Sequence, residues 1–254
     1  MFDEFGRVIP DKILATAHIK SRRYFSFPDI DIDLERCYSR LVRHLAVADL
    51  DLSLDVFRQR IDGIQNDLRS DPDMTGVLNG AAIPFFIPKQ EDGDIGGSLD
   101  SVFLPAVAAS YKEAFPDYSF DNHNQEPLAG RLSSVAGARH SNLLERASLG
   151  AVVGMLFPCL TEYSVPAAIE VIGALPERFL LAGAFDTSAA LIACPELLFK
   201  RESYPPLIWM SGIQDERSGF GYHFEAYGYN LTFNRRAHLD QCAEYWASSV
   251  VVIA

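Results

Sequence analysis

The sequence predicts a mixed α and β fold, in which helices flank a mixed sheet of about five to six strands and an N-terminal helical hairpin precedes it. Three observations support this prediction. The apolar stretch 147–199 contains only six charged residues, as is typical of a buried core. Residues 29–70 contain two acidic starts, each followed by helical periodicity. Residues 220–233 alternate between apolar and polar side chains, which favours antiparallel strands.

Length and composition indicate a single compact domain over residues 1–254, with residues 29–70 as a helical subdomain. Hydrophobic residues make up 48% of the chain and charged residues 22%, as in ordinary globular proteins. The net charge of −12 repels phosphate backbones, so we expect no nucleic-acid partner. Uncharged runs fall short of the roughly 20 residues of a membrane helix, so we expect no membrane partner. Four scattered cysteines and no secretory signal favour a cytoplasmic protein.

The N-terminal repeat predicts two amphipathic helices. Residues 29–35 and 49–55 are rich in aspartate, and apolar residues recur at helical spacing after each of them. Carboxylates at a helix start stabilise its unpaired N–H groups, and the short connection favours an antiparallel hairpin. Asp29, Asp31 and Asp33 leave one alternative open, since three such carboxylates can hold a divalent metal. A Ca²⁺ loop from Asp92, Asp94 and Asp100 is conceivable, but the EF-hand spacing is absent, so we assign no residue to a metal site.

The middle of the chain predicts a strand, a loop and a helix. Ile83–Ile87 is apolar, and Pro84 and Pro88 restrict it to the edge of a sheet. The acidic, glycine-rich segment 90–100 is typical of a mobile surface loop. Residues 102–115 favour a helix that has a proline near its first turn.

The apolar centre predicts three further elements. A helical run covers 143–156, with Ser141 as its N-cap. Residues 178–185 form a short apolar stretch that we expect to be a central, buried strand. A helix over 187–198 then follows, capped by Asp186.

The C-terminal part predicts mostly strands. Residues 205–212 and the alternating stretch 220–233 read as strands, and the β-branched tail 248–254 reads as the last one. Between them, Asn234 can cap a helix over 235–246.

Four residues are predicted to carry catalytic chemistry. His223, Glu225 and Tyr227 share one face of a strand, where the carboxylate can orient the imidazole and raise its pKa and the hydroxyl can donate to an oxyanion. Asp186 follows a strand and begins a helix, which is where open α/β sheets often contact ligands. The structural alternatives are an exposed polar sheet face and a helix cap.

Three further residues are predicted to bind a ligand. His123 lies in a polar loop, and Arg139 and His140 precede a helix as a pair that could hold an anion. No phosphate-binding, dinucleotide-binding, esterase or zinc-protease motif is present in the sequence, so it indicates no particular cofactor.

Two classes of function fit the sequence. One is a cytoplasmic small-molecule enzyme or binder with a polar site of His, Glu and Asp side chains. The other is a non-catalytic protein that binds a protein partner through its acidic surface. Convergence of His223 and Asp186 in a deep pocket would favour the first class, and scattered groups on a convex surface would favour the second.

Overall fold

The computed structural model describes residues 1–9, 25–46, 51–91, 93–217 and 219–254. Ten strands occur in this part of the chain: β1 (Ile83–Ile87), β2 (Phe120–Asn122), β3 (Leu132–Ser134), β4 (Val152–Thr161), β5 (Leu180–Leu181), β6 (Leu207–Trp209), β7 (Ile213–Asp215), β8 (Gly221–Tyr227), β9 (Asn230–Arg236) and β10 (Trp246–Ile253). Eight of them form a mixed sheet in the order β1-β4-β10-β6-β8-β9-β2, with β5 beside β10. The strands β3 and β7 pair separately.

The helices of the described chain are α1 (Leu34–His44), α2 (Leu54–Ser70), α3 (Ile95–Ser98), α4 (Leu104–Ala114), α5 (His140–Leu149), α6 (Val165–Ala174) and α7 (Ala184–Ala193). Short 3-10 helices cover Thr75–Asn79 and Pro195–Leu198, and a π-helical turn, Leu99–Phe103, joins α3 to α4. The predicted fold class, a mixed sheet flanked by helices with helices at the N-terminal end, is confirmed. None of the helices described is long and apolar enough to cross a membrane.

The centre of the sheet is β4 and β10, which pair with each other in antiparallel fashion. The prediction of a helix over 143–156 is wrong after Leu149, because the chain turns at Gly150 and continues as β4. Nine of the ten residues of β4 are buried. A strand buried on both faces has no polar alternation, so its sequence resembles that of a buried helix.

The predicted central strand, 178–185, is a strand only at Leu180–Leu181. Helix α7 begins at Ala184, and Asp186 is its third residue instead of the residue before it; the Asp186 carboxylate still accepts the N–H of Gly183, which precedes the helix. Every residue of α7 is buried, as in a helix that is surrounded by the core. The prediction that this region is buried therefore holds, whereas the bounds of the strand and of the helix over 187–198 are wrong.

The alternating stretch 220–233 forms the hairpin of β8 and β9. Gly228 and Tyr229 make its turn with φ of 57° and 71°, the left-handed conformation that matches the twist of a two-residue hairpin. The prediction of a helix over 235–246 is wrong, because β9 continues to Arg236 and β10 begins at Trp246.

The two N-terminal helices begin at cap residues that lie within the two predicted acidic starts, 29–35 and 49–55. The Asp33 carboxylate accepts hydrogen bonds from two backbone N–H groups of α1, and Ser53 caps α2 in the same way. The rings of Tyr38 and Phe57 pack 5.6 Å apart, which joins the first halves of the two helices. The link at residues 47–50 lies outside the described residues.

The acidic segment 90–100 is not an open loop in its described part. The Asp94 carboxylate caps α3 and also accepts a hydrogen bond of 3.0 Å from Gly130 N–H. The Asp100 carboxylate accepts one of 2.6 Å from Leu128 N–H. These carboxylates therefore hold the neighbouring loop in place. In the part of the chain that the structure describes, no group of three or more His, Cys, Asp or Glu side chains could hold a metal ion.

Candidate functional site

Polar side chains gather on one face of β8, β9 and the end of β2, and we call this surface the polar face. Strand register pairs Glu225 with Thr232 and Thr232 with Asp121, and it pairs His223 with Asn234. The polar face consists of Asp121, His123, His223, Glu225, Thr232, Asn234 and Arg236.

Burial of the opposite face fixes this arrangement. Phe224 and Phe233 alternate with the polar residues and are fully buried, so their neighbours along each strand must point the other way. The backbone N–H of His123 donates to the carbonyl of Phe233 at 2.9 Å, which continues the parallel pairing of β2 with β9. His123 is thereby placed beside Asn234.

A chain of three hydrogen bonds orients the His123 ring, and we call it the His123 relay. The Thr232 hydroxyl donates to the backbone carbonyl of Glu225 at 2.9 Å. The Asn234 amide nitrogen donates to Thr232 Oγ1 at 2.7 Å. The Asn234 amide oxygen lies 2.8 Å from His123 Nδ1.

The relay fixes the tautomer of His123. Thr232 has one hydroxyl proton, and the carbonyl of Glu225 takes it, so Asn234 must direct its NH₂ group towards Thr232. Its oxygen then faces His123 and can only accept, so His123 Nδ1 carries the proton. In the neutral ring, Nε2 is left with a lone pair. Because the His123 side chain is exposed, a ligand can reach that lone pair.

His223 has a different environment on the same face. Its side chain is only 1% exposed, and its ring lies 4.6 Å from that of Trp209. Its Nε2 lies 3.4 Å from a carboxylate oxygen of Glu225. Burial lowers the pKa of His223 and outweighs the opposing effect of Glu225, so the sequence-based expectation of a raised pKa is wrong. A neutral His223 that donates from Nε2 follows from this geometry.

Glu225 is a partly buried, ionised carboxylate on the polar face. Its burial would raise the pKa of its carboxyl, but the hydrogen bond from His223 and the charge of Arg236, 3.8 Å away, lower it overall. The third member of the predicted set, Tyr227, lies at the end of β8 and is 76% exposed. The structure therefore brings His223 and Glu225 into contact and leaves Tyr227 at the rim.

Asp186 and His140 form a separate, fully buried pair at the start of α7. The Asp186 carboxylate accepts hydrogen bonds of 2.9 and 3.1 Å from Gly183 N–H, and it lies 3.9 Å from His140 Nδ1. Burial raises the pKa of Asp186 and lowers that of His140, so both shifts favour the neutral forms. Neither residue is on the polar face, and the core encloses both. The convergence of His223 with Asp186 in one pocket, which would have favoured a small-molecule site, does not occur.

Arg139 binds the turn that follows α6, beginning at the C-cap residue Leu175. Its Nη1 donates to the carbonyls of Leu175, Pro176 and Phe179 at 2.9 to 3.2 Å. A cation at these carbonyls complements the negative end of the helix dipole. Arg139 is also the residue before α5, and Ser141, the predicted cap, lies inside that helix. These contacts direct the guanidinium of Arg139 towards protein carbonyls.

Sequence reasoning missed Thr232, Asn234 and Arg236 as members of the site. It assigned Asn234 to a helix cap, because Asn often caps helices. The signal that could have found them is the alternation of β8, which resumes with the opposite parity in β9 because a two-residue turn joins the paired strands.

Comparison of the chain with protein-family models, with curated proteins and with solved structures finds no match.

Proposed function

We propose that this chain binds a small polar molecule on its polar face, with His123 Nε2 as the acceptor for a hydroxyl or amine proton of that molecule. The observation that supports this most directly is the His123 relay, which gives an exposed imidazole one tautomer and one orientation. A solvated surface histidine needs no such chain of partners.

The relay makes His123 a preorganised acceptor. Its last group is a backbone carbonyl in the hydrogen-bonded hairpin of β8 and β9, so the ring is oriented before any ligand arrives. An acceptor that is already oriented loses little conformational entropy when it binds. The same lone pair would serve as a general base if the ligand is deprotonated.

The charges around His123 favour ligands that present donors. Asp121 is exposed, and its carboxylate accepts a hydrogen bond of 2.8 Å from the Ser119 hydroxyl. Glu225 is ionised, and its carboxylate lies 3.8 Å from the guanidinium of Arg236. With a net charge of −12 on the whole chain, a neutral or cationic ligand is favoured over an anion.

A titration followed by NMR tests this proposal. Ethanolamine and glycerol present amine and hydroxyl donors, and acetate serves as the anionic comparison. We expect saturable shifts of the His123 side-chain nitrogen signals with one or both donors and none with acetate. His123→Ala should abolish the binding, whereas Gln125→Ala, a change at an exposed neighbour, should retain it.

Two outcomes would contradict the proposal. One is that neither donor moves the His123 signals, and the other is that His123→Ala binds as well as the unchanged chain. If, in addition, a protein partner bound through the acidic surface, the second class of function would replace the first.

A further inference from the structure

A second site lies at the opposite edge of the sheet. A cavity of about 550 Å³ opens between three parts of the chain. These are the N-terminal segment (residues 1–9), the stretch before α1 (residues 25–33), and the strands β1 and β4. Ligand pockets typically measure about 300–1,000 Å³. In the sheet order, β1 is at one end and β2, which carries His123 just past its last residue, is at the other. The cavity is therefore separate from the polar face.

The walls of the cavity are mainly apolar. Aromatic and aliphatic side chains from three parts of the chain line it: Phe5, Phe25, Phe27, Ile30, Ile32 and Met155. Neutral polar groups are also present, among them the amides of Gln65 and Asn79. Such a lining favours an apolar body that carries a hydrogen-bonding group.

Hydrogen bonds and close packing hold the N-terminal segment in place as one wall of the cavity. Val8 N–H donates to the carbonyl of Cys159 at 2.9 Å, and the Tyr163 hydroxyl donates to the carbonyl of Val8 at 3.0 Å. Gly6 has φ of 73°, and a Cβ atom there would overlap Gly80 N. The segment is therefore held against β4 and against the chain before β1, so this side of the cavity exists before a ligand binds.

The charges on the described lining disfavour an anion. Arg7 and Asp29 are the charged residues among the described lining residues. The Arg7 guanidinium binds the Asp3 carboxylate through two nitrogens, at 2.6 and 3.0 Å, so its charge is already compensated. The exposed carboxylate of Asp29 adds a negative charge that would repel an anionic ligand.

We propose that this cavity binds a neutral, mostly apolar small molecule with a hydrogen-bonding group. Two naphthalene dyes of nearly the same shape provide the test: neutral N-phenyl-naphthylamine and its sulfonated, anionic relative anilinonaphthalene sulfonate. With the full chain, we expect the neutral dye to bind saturably at one site. The anionic dye should bind at least about tenfold more weakly, a difference of roughly 1.4 kcal/mol.

Variants locate the binding. Ala81→Trp fills the cavity and should weaken the neutral dye by at least about tenfold, whereas Ala109→Trp, on the exposed side of α4, should not change it. Because Ala81→Trp could disturb folding, Asp29→Lys provides a second variant at an exposed residue. Asp29→Lys should raise the affinity for the anionic dye and leave the affinity for the neutral dye unchanged. His123→Ala should not affect the neutral dye.

The inference would be overturned if both dyes bound equally well to the unchanged chain. It would also fail if folded Ala81→Trp bound the neutral dye normally, or if Asp29→Lys left the affinity for the anionic dye unchanged.

Discussion

The imidazole of His140 lies directly against Gly183, so that a Cβ atom on Gly183 would come within 2.5 Å of His140 Cε1. Gly212 approaches the same ring from another part of the chain, and a Cβ atom there would lie 3.0 Å from His140 Cγ. Two glycines far apart in sequence thus provide the space for one buried ring. Asp186, whose carboxylate bonds Gly183 N–H, completes this packing at the start of α7.

Gly183→Ala should destabilise the protein by about 1–3 kcal/mol, because the added methyl group overlaps the His140 ring in a closely packed core. Denaturant unfolding measures this change. The matched control is Gly173→Ala in α6, where a Cβ atom would meet nothing within 4 Å. That change should stabilise the helix by roughly 0.5–1 kcal/mol.

A double-mutant cycle tests whether the His140 ring is the cause. In a His140→Ala background, Gly183→Ala should lower the free energy of unfolding much less, since the overlapping ring is gone. Equal costs in both backgrounds would show that the strain arises elsewhere.

His223→Ala should lower the free energy of unfolding by about 1–3 kcal/mol, as is usual when a buried side chain is removed. On an exposed polar sheet face, the structural alternative that the sequence left open, the loss would be almost nil, but the contact of the ring with Trp209 and its burial reverse that expectation. Gln125→Ala, at an exposed position, should change stability by less than about 0.5 kcal/mol. An equally small effect of His223→Ala would mean that the ring is not part of the packing.

Acid should weaken the fold in part through His223. Burial lowers the pKa of this imidazole in the folded chain below its ordinary value of 6.5, so the unfolded chain binds the proton first. The stability that neutral His223 contributes is therefore fully present above pH 6.5. It is lost as the pH falls from 6.5 towards the lower pKa of the folded chain. Unfolding measured from about pH 7.5 to about pH 5, above the ordinary carboxyl range, should show a shallower slope in His223→Gln. A slope that the substitution leaves unchanged would contradict this.

Arg139→Met should destabilise the chain by about 1–3 kcal/mol, because three carbonyls in the turn that follows α6 lose a charged donor. Arg178→Met is the control, since the Arg178 pair with Asp67 is exposed and should contribute no more than about 1 kcal/mol. Phosphate should stabilise the unchanged chain and Arg139→Met equally. A phosphate effect that disappears with Arg139 would instead support the anion-binding role predicted from the sequence.

Local signals in the sequence predicted local structure well. The caps Asp33 and Ser53, the edge strand β1 and the alternation of β8 each depend on residues that are close together in the chain. By contrast, β4 and α7 are buried on almost every side, so their sequences contain no clear period that separates a strand from a helix. Their type is decided by the neighbours that bury them.

Only part of the candidate site could be predicted, because the rest also depends on distant neighbours. Alternation placed His223 and Glu225 on one face, but it could not show that Trp209 would cover His223. His123 reaches the polar face only because β2 pairs with β9, more than a hundred residues later. Such long-range pairing has no signature in either segment alone.

The most direct test of the central claim is the tautomer of His123, measured by long-range proton–nitrogen NMR correlations at about pH 8, where imidazoles are neutral. The relay predicts a proton on Nδ1 of His123, whereas the contact with Glu225 predicts one on Nε2 of His223, which provides an internal control. Asn234→Ala should remove the preference at His123 and leave His223 unchanged. A proton on Nε2 of His123 in the unchanged chain would contradict the account.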